Sequence, residues 1–146
     1  MSSSTGTILR TAAQILHEFG LHTGQQFADN DTGRLDVCAA IYRAVTGSTP
    51  NCFLTDEDMA STLIGSNPDV GDAIRMVSAV LPTPPCTTEV VPGYEVPDFV
   101  EHVSNWACTT PIFGDRTPTT AEVIGVLLRA ADTADNLTAA PARTAA

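Results

Sequence analysis

A cysteine in the first turn of a helix is a candidate nucleophile, because the positive end of the helix favours thiolate over thiol. Cys38 occupies such a place in the run Asp36-Val37-Cys38-Ala39-Ala40-Ile41. His22 lies upstream, with His17 before it, and Asp36 is near enough in sequence to orient an imidazole. Cys38, His22 and Asp36 therefore make a candidate set of nucleophile, base and orienting carboxylate. The blander reading is that a cysteine among alanines is a small core residue, and no local signature of a catalytic cysteine surrounds it. No catalytic role is assigned, and the balance leans away from an enzyme.

Metal and cofactor chemistry find little support. His17 and His22 are five residues apart and share no helical face, while His102 is distant in the chain. Cys38, Cys52, Cys86 and Cys108 form no CxxC or CxH pair, so zinc is not expected. The stretch Gly20-Leu21-His22-Thr23-Gly24 lacks the lysine of a phosphate loop and follows a helix, not a strand. There is no GxSxG elbow. No metal and no cofactor is implied.

The other chemistry on offer is recognition. Tyr94, Phe99, Trp106 and Phe113 lie in or beside two irregular stretches, and with His22 they form the candidate ligand- or partner-binding set. The first stretch, Pro82–Pro97, holds five prolines. It reads as a long proline-rich loop in which CTTEVV could form one short edge strand or hairpin. The acids Asp29, Asp31 and Asp36 and the run Asp56-Glu57-Asp58 could imitate nucleic acid toward a basic partner, although each also suits a loop or a helix start.

These residues need helices to hold them. Ile8, Ala12, Ile15, Leu16 and Phe19 repeat at helical spacing between Thr7, a candidate cap, and Gly20. After a polar loop, Asp36 caps a helix whose face is Val37, Ala40, Ile41, Ala44 and Val45, ending at Gly47. A short acidic helix starts at Thr55, with Asp58 in the capping-box position. Asn67-Pro68 opens the next, with Val70, Ile74, Val77 and Leu81 facing inward. Pro97-Asp98 opens another through Phe99, Val100, Val103 and Trp106. The last starts at Thr119 with Glu122 three residues on, buries Val123, Val126, Leu127 and Ala130, and fades between Thr133 and Leu137.

The fold class is all-α: a single domain over residues 7–137 with five or six helices, between a disordered 1–6 and a disordered tail from 138 to 146. The 146 residues suffice for one core, burying roughly two-thirds of the unfolded surface. The net charge is -10, and all seven basic residues are arginine, with no lysine. Direct nucleic-acid binding is not expected from such an acidic chain. There is no basic, apolar leader and no run near the roughly 20 apolar residues that span a bilayer, so a cytoplasmic protein with free thiols and no membrane association is expected.

Three patches carry a resemblance: FGLHTGQQF after the first helix, VCAAIYRA in the second, and HVSNWACTTPIFGDRTPTTAEVIGVLLRAAD in the C-terminal third. Together they resemble a family of small, uncharacterised actinobacterial and actinophage helical proteins of unknown function. The likeness spans about Ile8 to Ala131. It departs at Trp106, which precedes Ala107 and Cys108 where the family has Asn and Asp. The resemblance implies a helical fold and no particular reaction. Arginine in place of lysine fits a GC-rich actinobacterial background. The leading functional expectation is an accessory or regulatory protein that binds an unknown protein partner through the Pro82–Pro97 loop. The alternatives are a small-molecule-binding protein or small enzyme with a pocket near Cys38, His22 and Trp106, and an acidic decoy of a nucleic-acid-handling protein.

Overall fold

The computed structural model describes residues 3–23, 27–108 and 117–144. Among these it contains seven helices and one two-stranded sheet, in the order α1 (Thr5–Phe19), α2 (Val37–Thr46), α3 (Cys52–Thr55), α4 (Glu57–Ser66), α5 (Pro68–Val80), β1 (Cys86–Val91), β2 (Tyr94–Asp98), α6 (Phe99–Cys108) and α7 (Thr120–Thr144). This is the all-α domain with a short hairpin that the sequence allows. The seventh helix, beyond the expected five or six, is the single turn α3.

Most helices begin where a side chain can accept an orphan N–H. Asp36 accepts from the Ala39 amide and Asn67 from Asp69 and Val70, with Pro68 in the first position. Thr119 and Glu122 form a reciprocal capping box, Thr119 Oγ1 accepting from the Glu122 amide at 3.1 Å. Two caps differ from expectation. Ser4, not Thr7, caps α1, because its hydroxyl accepts from the Thr7 amide, and the helix so starts inside the stretch expected to be disordered. Asp56, not Thr55, caps α4 by accepting from Met59, while Thr55 closes α3.

α1 lies along α7 and α2, and α5 packs against α1, α2, α6 and α7. Leu9, Leu16, Ile41, Phe53, Ile64, Ile74, Val103, Val123 and Leu127 are fully buried among them. The face that α1 buries is Ile8, Leu9, Ala12, Ala13 and Leu16. Phe19, expected within it, turns outward under the Arg43 guanidinium, 4.9 Å from the ring centroid. α7 does not fade near Leu137 but continues to Thr144. Ala134 is buried, and Arg10 on α1 holds Asp132 and Asp135 at 2.8 Å each.

The proline-rich stretch forms an antiparallel hairpin instead of a long loop. Thr87, Thr88, Val90 and Val91 favour extended backbone, and the prolines fall where a ribbon tolerates them. Pro82, Pro84 and Pro85 precede β1, Pro92 sits in the turn, and Pro97 lies on a strand that is itself an edge. Val91 pairs with Tyr94 across Pro92-Gly93, with Gly93 at φ 80°, the pattern of a type II turn. Glu89 pairs with Glu95, which leaves Val90 bulged. Thr87 and Thr88 hydroxyls donate across the ribbon to Glu95 and Asp98.

Candidate functional site

The loop joining α1 to α2 is held by its own backbone. The His22 amide donates to the Leu35 carbonyl at 2.8 Å, Leu35 to Gly20 at 3.1 Å, and Asp36 to Phe27 at 2.8 Å. The amides of Phe27 and Ala28 both reach the Phe53 carbonyl at 3.2 Å. These ties set His22 beside the start of α2, where Asp36 stands. They also open a cleft of about 650 Å³ between the loop, α2, α4 and α6.

Asp36 lines the cleft. It is 8% exposed, and both carboxylate oxygens are engaged: Oδ1 by the Ala39 amide and Oδ2 by the Ser104 hydroxyl, each at 2.8 Å. Burial pushes the carboxyl up to about 6, against the pull of those hydrogen bonds and of nearby His22. Around it the charged lining is Glu57 from α4, Asp98 at the start of α6 and Glu101 from α6, with His22 as the imidazole. Ser61, Asn105 and Cys108 add polar groups, and Phe27 and Val100 an apolar floor.

The surroundings of Cys38 oppose the thiolate that a helix start by itself would favour. The side chain is fully buried, its Sγ 3.4 Å from Ser104 Oγ and 3.8 Å from the Val100 carbonyl. Burial, and after it the negative charge of Asp36, raises the thiol well above the ordinary range. The helix start favours thiolate only where solvent or a cation shares the site.

The remaining candidates disperse. Tyr94 is exposed on the hairpin, Phe99 lies half-buried in an apolar groove beside it, and Trp106 packs half-buried on the core without lining the cleft. Phe113 lies outside the described residues. Among the described residues, no group of His, Cys, Asp and Glu is arranged to hold a metal ion. Local roles occupy several of the acids singled out as a decoy surface. Asp56 caps α4, and Asp29 accepts from the Asp31 amide and the Thr32 hydroxyl.

Sequence reading passed over Ser104, Glu101 and Asn105, met Glu57 only in an acidic run, and took Asp98 as a helix start and Cys108 as a free thiol. A signal was present: Glu101, Ser104, Asn105 and Cys108 follow the i, i+3, i+4, i+7 spacing of one helical face. A polar stripe on a helix reads as a solvated face unless another element is known to close over it.

The architecture is that of a small all-α domain carrying one antiparallel hairpin and an acid-lined cleft. The chain belongs to a family of unknown function, DUF6197, whose model matches residues 1–133. No curated protein and no solved structure matches it. No helix among the described residues is long and apolar enough to cross a membrane.

Proposed function

We propose that this chain is a small-molecule-binding protein whose cleft takes an organic cation. The observation that carries the reading is Asp36, a carboxylate buried in the wall of the cleft and kept hydrogen-bonded there. A concave site with a few convergent polar groups, one of them strongly perturbed, is where ligand binding concentrates. Three further carboxylates, Glu57, Asp98 and Glu101, line the same space, so an ammonium or guanidinium group would find complementary charge with partial desolvation to strengthen it. A carboxylate ligand would meet repulsion. Reactivity is not part of the proposal, because the thiol behind Asp36 is held as the neutral, buried form.

A second reading is favoured by the hairpin. Val90, Val91 and Tyr94 are each more than half exposed near its tip, which suits an accessory protein that presents this ribbon to a protein partner. Cys38, Cys52 and Cys108 are free. That supports a reducing compartment such as the cytoplasm, and the arginine-only basic set supports an actinobacterial source.

Calorimetric titration with the diamine putrescine at low salt tests the cation reading, with inorganic phosphate as the anionic control. Binding should be saturable and should weaken about tenfold or more in a Glu57→Gln, Glu101→Gln double variant, since each charged hydrogen bond contributes on the order of 1.5–3 kcal/mol. A Glu18→Gln, Asp31→Asn variant, which removes the same charge outside the cleft, should bind as the parent does. Equal weakening by both variants, or no binding at all, overturns the reading.

A further inference from the structure

A two-stranded ribbon has two outer edges, and in this hairpin only one of them is blocked. Pro97 on β2 has no N–H to donate, so Thr87–Pro97 is a non-bonded pair of the antiparallel alternation and the missing amide falls on the outer edge of β2. Two places along, Glu89–Glu95 is again a non-bonded pair. On β1 the matching residues, Thr87 and Glu89, therefore turn their N–H and C=O groups outward. Thr87 to Val91 are all exposed, and among the described residues β1 forms a ladder with β2 alone. The bulge at Val90 ends the regular edge, so what is open is short.

The two faces of the ribbon differ. Thr88, Val90 and Val96 line a groove of about 410 Å³ whose other walls include Ile64 of α4, Ile74 of α5 and Phe99 of α6. Arg75, also in its wall, is held by Asp72 at 2.9 Å. The opposite face sets Glu89 directly across from Glu95. Like charges so placed repel, and among the described residues the ion pairs involve Arg10 and Arg75, not these two acids.

We propose that the outer edge of β1 takes an extended peptide as a third strand, one that alternates apolar side chains toward the groove with basic side chains toward Glu89 and Glu95. This rests on the reading of the hairpin as a surface shown to a protein partner, and it names that partner's chemistry. Main-chain bonds to Thr87 and Glu89 supply affinity, and the side chains on each face supply selectivity. A lysine or arginine of the new strand beside Glu89 relieves the repulsion between the two acids. Its neighbours in sequence point to the other face, beside Thr88, where apolar side chains cover Val90 and Val96. A second copy of this chain fits poorly. Antiparallel two-fold pairing of β1 puts both copies' Glu89 and Glu95 on one face of the joined sheet, in chains that each carry a net charge of -10.

Fluorescence anisotropy with dye-labelled heptapeptides tests the edge. A peptide alternating lysine and valine should bind saturably, at least about tenfold tighter than a lysine–serine peptide of equal charge or a glutamate–valine peptide. Two N-methylated versions separate strand addition from mere charge attraction, one blocked at every lysine amide and the other at every valine amide. An added strand uses one alternate set of amides, so one version should lose binding by about tenfold or more and the other should keep it. Glu89→Gln, Glu95→Gln should weaken the lysine–valine peptide several-fold with helical circular dichroism intact. Hydrogen exchange should show protection gained in β1 on binding and none in the His22 loop. Equal effects of the two methylated versions overturn strand addition; if Val91→Ser, Tyr94→Ser still abolishes that binding, the ribbon keeps its role as a partner surface. Protection gained in the His22 loop places the peptide in the acid-lined cleft and overturns the proposal, as does a lysine–valine peptide that fails to bind or a ribbon occupied by a second copy in a concentration-dependent dimer.

Discussion

Replacing Asp36 by Asn should stabilise the protein at neutral pH, although it removes a helix-capping carboxylate. A carboxyl moved from 3.8 to about 6 carries about 3 kcal/mol against its charged form, at about 1.4 kcal/mol for each tenfold in proton affinity. The folded state holds the proton longer than the unfolded state does. Stability from this group is therefore greatest below pH 3.8, is lost as pH rises toward about 6, and stays lost above it. Asparagine keeps one oxygen for the Ala39 amide and offers its NH2 to Ser104 Oγ, so the cap survives and the burial of charge is relieved. Part of the gain is returned because neutral hydrogen bonds are weaker than charged ones. The expected increase is about 1–3 kcal/mol, or roughly 3–9 °C in Tm, at pH 7.5. Urea unfolding of both proteins at pH 7.5 and pH 5.0 measures it. The advantage should shrink at pH 5.0, where the parent carboxyl is largely protonated, and His102 is common to both proteins and cancels. If Asp36→Asn is less stable at pH 7.5 by the same amount as at pH 5.0, the buried charge is not the liability argued here. Greater stability joined to weaker putrescine binding would mark a residue kept for its site.

Two other outcomes follow from named contacts. Because Cys38 is fully buried and its thiol raised, iodoacetamide at pH 7.5 should modify Cys108 and Cys52, both partly exposed, at least about tenfold faster than Cys38; preferential labelling of Cys38 by peptide mapping would restore the nucleophile reading. Gly93→Ala forces an L side chain to φ 80° in a turn with open space around it, a strain of about 1 kcal/mol. It should raise exchange of the β1 and β2 amides several-fold while leaving helical circular dichroism intact, and unchanged exchange would refute the type II turn.

The helices were legible because their signals are local. Asp36, Asn67 and the Thr119–Glu122 pair lie within three residues of the amides or partners they serve, and the apolar spacing of α5 needs no knowledge of its neighbours. The hairpin was only half legible, since five prolines exclude a central strand but not a two-stranded ribbon in which each strand is an edge. The site was least legible. Ser104 reaches Asp36 across 68 positions of sequence, and nothing in either local pattern announces the other.

Asp36 itself shows where local reading stops. As a helix cap it is fully explained by sequence, and Asp56 caps α4 in the same way while remaining exposed. A cap therefore requires no burial, and the covering of Asp36 comes from α6 and the His22 loop closing over it. That closure costs the ionised carboxyl about 3 kcal/mol, on the scale of a third of a domain's whole stability. A structural role alone would have been served as well by asparagine or serine at the same position. The proposed organic cation would account for the carboxylate, its burial and the acid-lined cleft beside it together.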